Sequence, residues 1–220
     1  MKRRHQVAAE RRLHGDGTSE RAARPRNDAS VISTFVKSIP GPVILVGHSY
    51  GGFVISIASA GNPKVRALVY VDAFVPDGSD TLFSLLASSP APPKDLFVPI
   101  PFTTATGKDV DLYFNTKYFG AVFASDVPTA MSSLMAVTQR PLTASAFSEK
   151  VPPTEGWKSI PSWYVIGDAD RVIPPAAQLS MATRAKAHVS HVPGGSHPSM
   201  IMPPEATVAA IEAAAAATMK

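Results

Sequence analysis

The sequence contains no cysteine. Disulfides, thiolate ligation of zinc or iron–sulfur clusters and a thiol nucleophile are all excluded by that one absence. Charged residues make up only 17% of the 220 positions and aromatic residues 8%. No run of about 18 uncharged apolar residues exists to cross a bilayer; the alanine-rich stretch 206–219 is interrupted by Glu212. The start lacks an apolar run of signal-peptide length, and Glu10, Asp16 and Glu20 are mixed among its arginines, unlike a clean presequence. A cytoplasmic protein without a membrane partner is expected. Charge of one sign is scarce beyond the beginning: the formal +4 divides into +5 over residues 1–26 and −1 over the remainder. A neutral body carrying a basic arm is not a nucleic-acid-binding face, and no Lys/Arg cluster is interleaved with aromatics, so no nucleic-acid partner is expected.

What is present is globular. Hydrophobic residues reach 45%, and 21 prolines punctuate the chain. Residues 1–26 lack apolar periodicity and read as a basic, disordered arm, leaving 27–220 as one α/β domain. Residues 28–37 predict a helix with Val31, Ile32, Phe35 and Val36 as its apolar stripe. The β-branched run 43–46 predicts a strand and 53–60 a helix, followed by a second strand at 67–71 ending in Asp72. Strand, tight turn, helix, strand is the pattern of α/β packing. Between 77 and 158 the pattern changes to prolines and short helical patches at 81–86, 109–114 and 127–137, which reads as a helical cap insertion. The core resumes with a strand at 162–166, a helix at 174–186, a short strand at 188–192 and a closing helix at 204–217.

The strongest chemical signal is Gly47-His48-Ser49-Tyr50-Gly51-Gly52, placed between strand and helix. A serine at the tip of such a turn needs small neighbours two positions away on each side. The following helix N-terminus directs free amides toward it, so the Tyr50 N–H is the candidate oxyanion donor. A hydroxyl needs a base. His5 and His14 lie in the arm, His48 inside the turn suits packing or a local hydrogen bond, and His188 and His191 flank a short strand. His197, in the loop Pro193-Gly194-Gly195-Ser196-His197-Pro198, can reach the sheet's edge and is the candidate base. The base needs an acid to fix its tautomer. Asp168 and Asp170 both follow the 162–166 strand, with Asp72 in reserve.

The order Ser, Asp, His and the segments around it resemble the α/β-hydrolase superfamily, and specifically small bacterial esterase-like members related to plant hydroxynitrile lyases and methyl esterases. The resemblance rests on Gly41 through Gly52, on Val69-Tyr70-Val71-Asp72-Ala73-Phe74-Val75-Pro76, on Ile160 through Pro175, and on Gly194-Gly195-Ser196-His197. It implies a mostly parallel sheet with helices on both faces and a helical cap. It also implies Ser49 as nucleophile, His197 as base and Asp170 as acid, the aspartate just before Arg171-Val172-Ile173-Pro174, with no metal and no organic cofactor. Pro198 stands where the lyase branch has a lysine, which favours ester hydrolysis over cyanohydrin cleavage. The first core strands of that fold are missing before Ser49, and His14-Gly15 follows no buried strand that would make it the oxyanion loop. The 43–46 strand is therefore expected to be an exposed edge, open to self-association. The expected activity is hydrolysis of a small, apolar ester, in a pocket to which Phe74, Phe83, Leu96, Phe97, Phe114, Phe119, Leu134 and Met135 could contribute. The alternative is a catalytically silent relative binding a small apolar ligand.

Overall fold

The computed structural model describes residues 24–87, 89–104, 107–150 and 155–219. In chain order these form α1 (Pro25–Ser38), β1 (Val43–His48), α2 (Tyr50–Ala58), β2 (Val65–Val71) and α3 (Leu82–Leu85). Then come β3 (Phe97–Thr104), β4 (Gly107–Phe114), α4 (Thr116–Tyr118), a π-helical turn at Phe119–Phe123, α5 (Thr129–Thr138), β5 (Leu142–Thr143) and α6 (Ala144–Ser148). The chain closes with β6 (Ser162–Gly167), α7 (Pro175–Arg184), β7 (His188–Val192) and α8 (Glu205–Thr218). All but the last three residues of the arm expected over 1–26 lie outside the described residues. Pro25 and Arg26 already belong to α1, where proline suits the first helical turn.

Four strands pair in parallel in the order β1-β2-β6-β7. Alternation along the strands sends their side chains into two cores. Leu68, Tyr70, Tyr164 and Ile166 pack with Phe53 of α2, Val36 of α1 and Met181 of α7. Val69, Val71, Trp163 and Val165 pack with Ala210 and Ala214 of α8. Every residue of β2 except Arg66, and all of β6, is buried, as continuous apolar runs require when helices cover both faces. β1 differs. Among the described residues it pairs on one side only, and Val46 is 45% exposed, so it is the edge that the sequence led us to expect.

Two local expectations need correction. The packed stripe of α1 is Ala29, Ile32 and Val36, whereas Val31 and Phe35 point outward at 61% and 63% exposure. The segment between β2 and β6 is also not purely helical: 109–114 belongs to strand β4. It pairs antiparallel with β3 and β5 in a second sheet. The period is two, with Val110, Leu112 and Phe114 on one face. Pro99 and Pro101 are tolerated in β3 because that strand is an edge, and their equal parity lets both missing N–H groups turn from β4.

The two ends of this segment are fastened together. The Gly78 amide donates to Glu155 Oε1 at 2.6 Å, Trp157 Nε1 donates to the Pro76 carbonyl at 2.7 Å, and Lys158 pairs with Asp77 at 2.6 Å.

Candidate active site

Ser49 occupies the turn between β1 and α2 with φ 53 and ψ −123, a backbone region that disfavours any residue with a Cβ. Surrounding bonds hold it there. Its N–H donates to the Val71 carbonyl at 3.2 Å, and its own carbonyl accepts from Gly52 at 3.0 Å and Phe74 at 3.1 Å. A Cβ on Gly47 would lie 2.7 Å from the Gly51 backbone, and one on Gly52 would lie 2.5 Å from the Phe74 carbonyl oxygen. Gly51 behaves differently from the expectation, since a Cβ there would meet nothing within 4 Å. The turn therefore requires Gly47 and Gly52 by contact, and leaves Gly51 free. Tyr50 opens α2, so its amide has no acceptor within the helix; its hydroxyl donates to Asp28 Oδ2 at 2.8 Å.

The structure brings Ser49, His197 and Asp170 into one hydrogen-bonded line. His197 Nε2 lies 2.8 Å from Ser49 Oγ, and His197 Nδ1 lies 2.8 Å from Asp170 Oδ2. Carboxylate oxygens accept, so the proton sits on Nδ1 and Nε2 is free to take the serine proton. Both ionisable partners are buried. Asp170 Oδ1 accepts from the amides of Val172 at 2.7 Å and Ile173 at 3.0 Å, and its Oδ2 also accepts from Gln178 Nε2 at 2.7 Å.

Asp168 takes no part in this line. It binds His191 Nδ1 at 2.7 Å on the surface. Asp72 is also elsewhere, yet it is not idle. Its Oδ1 accepts from the Gly167 amide at 2.6 Å and its Oδ2 from the Ser199 amide at 3.1 Å, tying the end of β6 to the loop bearing His197. Burial pushes its carboxyl up to about 6, with the Ser199 bond opposing. Ser196 Oγ donates to Asp126 Oδ1 on the other side of that loop. His48 donates from Nε2 to the His197 carbonyl at 3.0 Å, and burial, then repulsion from His197, brings its imidazole down to about 3, so it stays neutral. Gln178 went unnoticed in the sequence. Its signal was its place on the buried face of α7 with Met181 and Ala182, where a polar side chain needs a partner.

Above the line lies a cavity of about 1090 Å³ whose lining includes Ser49 and His197. Of the residues suggested as pocket-forming, Phe74, Phe97, Phe114 and Met135 are among those that line it; Leu134 is not, and points outward at 61% exposure. Phe123 lies against His197 with ring centroids 4.8 Å apart. His14-Gly15 lies outside the described residues. Among the described residues no cluster of three or more His, Asp or Glu could hold a metal ion, and no helix is long and apolar enough to cross a membrane.

The sequence model of the alpha/beta hydrolase family matches residues 2–210. A carbendazim hydrolyzing esterase from Nocardioides sp. (strain SG-4G) is 57% identical over 51 residues, which cover 23% of this chain and 21% of that protein. The matched stretch thus spans about a fifth of the length of that curated relative. Among solved structures, polyneuridine aldehyde esterase superposes with a TM-score of 0.72 at 18% identity, over 84% of this chain and 77% of that one. A pyrethroid hydrolase from Sphingobium faniae JZ-2 superposes with a TM-score of 0.70 at 25% identity, over 90% and 80%. With this fold, this serine turn and a family match across nearly its whole length, the chain belongs to the α/β-hydrolase family.

Proposed function

We propose that the chain is a serine-dependent carboxylic ester hydrolase acting on a small, apolar ester. The single observation that carries this reading is the unbroken line Ser49–His197–Asp170 opening into an apolar cavity. The relatives named as a carbendazim hydrolyzing esterase and a pyrethroid hydrolase support the class of reaction. In the first half-reaction Ser49 Oγ attacks the ester carbonyl while its proton passes to His197 Nε2. The carbonyl oxygen takes the displaced electron pair, and the Tyr50 amide, which has no acceptor within α2, receives that charge. As the intermediate collapses, the C–O bond to the alcohol breaks and the alcohol leaves with the proton held by His197. Water then repeats the sequence on the acyl-serine, which releases the acid and restores Ser49. Asp170 holds the imidazole in the tautomer this requires and stabilises the imidazolium.

A fluorophosphonate probe followed by peptide mass mapping tests the assignment, together with turnover of a panel of neutral aryl and alkyl esters. Labelling is expected at Ser49 and lost in Ser49→Ala. Asp170→Asn is expected to lower kcat by about 10³–10⁴, and Asp168→Asn by less than about twofold. A folded protein that neither takes the probe at Ser49 nor hydrolyses any ester would instead be a silent relative that binds an apolar ligand.

A further inference from the structure

We propose that Gln178 is a positioning residue for the acid of this site, holding the Asp170 carboxylate in place and moderating its pull on His197. The inference rests on the esterase reading for its kinetic consequence, but its geometric part stands without it.

Gln178 is fully buried on α7. Its Nε2 donates to Asp170 Oδ2 and to the Ile173 carbonyl, each at 2.7 Å, while its Oε1 has no partner. The amide cannot be turned round, because the flipped oxygen would face a carboxylate and a carbonyl, both acceptors only. A buried amide with an orphan oxygen is unfavourable in a helix face that Met181 and Ala182 otherwise fill, and an apolar side chain would avoid that cost. What the other end of the amide does accounts for its presence there.

Asp170 Oδ2 receives two donors, Gln178 Nε2 and His197 Nδ1, and Oδ1 receives two backbone amides. The carboxylate is thus fixed from its own loop, from α7 and from the histidine loop. Without Gln178, Oδ2 would be held by His197 alone and could follow the base as it moves. The Gln178 N–H also draws negative charge from the oxygen that faces the imidazole. Its removal leaves more negative charge on the oxygen that faces the imidazole and so alters the Asp170–His197 hydrogen bond. The other groups facing this pair are His48, whose ring centroid lies 4.7 Å from that of His197, and Asp72 and Tyr164, which interact electrostatically with Asp170. Asp72 also acts on His197. None of these changes when Gln178 is replaced.

The test is Gln178→Met, close in size and without the donor. The Nδ1 proton of His197 should give a downfield NMR resonance that moves when the competing donor on Oδ2 is lost; an unmoved resonance would overturn the proposal. Per active site, counted by probe titration, kcat should fall about tenfold with KM nearly unchanged. The acid limb of kcat/KM should move to higher pH than in the parent. Fewer active molecules with an unchanged acid limb would mean that Gln178 only supports folding, and would overturn it too. If Gln178→Met does not fold, Gln178→Asn, too short to span to Oδ2, is read in the same way. If the parent turns over no ester and Ser49 takes no probe, the esterase reading fails, while the resonance still decides the Gln178–Asp170 link.

Discussion

Asp72 is buried at the end of β2, and burial raises its carboxyl to about 6. An unfolded aspartate titrates near 4. Between those values the folded chain holds a proton that the unfolded chain has released. Asp72 therefore adds stability below about pH 4 and loses that contribution as pH rises to about 6, in total on the order of 2–3 kcal/mol. His48 works the other way. Its folded value of about 3 lies below the ordinary 6.5, so its contribution is full above pH 6.5 and declines as pH falls. The two slopes oppose each other between pH 4 and 6, and the parent conceals both. Compared with the parent, Asp72→Asn should be most destabilised at pH 4.5 and least at pH 7.5. His48→Gln should gain on the parent by about 2 kcal/mol over the same descent. Urea unfolding midpoints of the three proteins at several pH values measure this, and pH-independent differences would refute it. These roles were hard to read from the sequence. Ser49, His197 and Asp170 sit in loops after core strands, where Gly and Pro patterns mark them, whereas Gln178, Asp72 and His48 act through contacts up to 149 positions away.

The turn into α2 makes unequal demands on its three glycines. Gly51→Ala places a methyl group in open space at the start of a helix and should be neutral or stabilising by up to about 1 kcal/mol. Gly52→Ala drives a methyl group to 2.5 Å from the Phe74 carbonyl, in the loop whose amide braces Ser49, and should cost about 1–3 kcal/mol. Thermal unfolding of both variants, with the rate of probe labelling at Ser49, tests the contrast. Equal effects would mean that the close approach at Gly52 relaxes freely. Core elements were legible because each announces itself locally, 43–46 and 162–166 as short runs rich in β-branched or aromatic residues. The hairpin of β3 and β4 was not. Its prolines argued against a strand, and only pairing with a neighbour on one side shows why they are admissible.

At the scale of the molecule, β1 ends the parallel sheet on one side among the described residues, and its Val46 is 45% exposed. Amides of β1 that face away from β2 should exchange with solvent far faster than those of β2 and β6. Hydrogen exchange at two protein concentrations measures this; protection that grows with concentration would report copies pairing along the edge, and protection at every concentration would contradict an open edge. The run 43–46 is legible by itself, whereas the second sheet depends on pairings between distant residues. The stem of the β2–β6 segment has a different consequence. Gly78 and Glu155 meet although 77 positions apart, so the ends of the segment are held by the stem and not by what lies between them. Closing a loop twice as long costs only about 0.6 kcal/mol more. The roof over the cavity can therefore be lengthened, trimmed or exchanged in descent while the serine turn and the sheet beneath keep their register. Most of the cavity lining can thus vary separately from the serine turn beneath it.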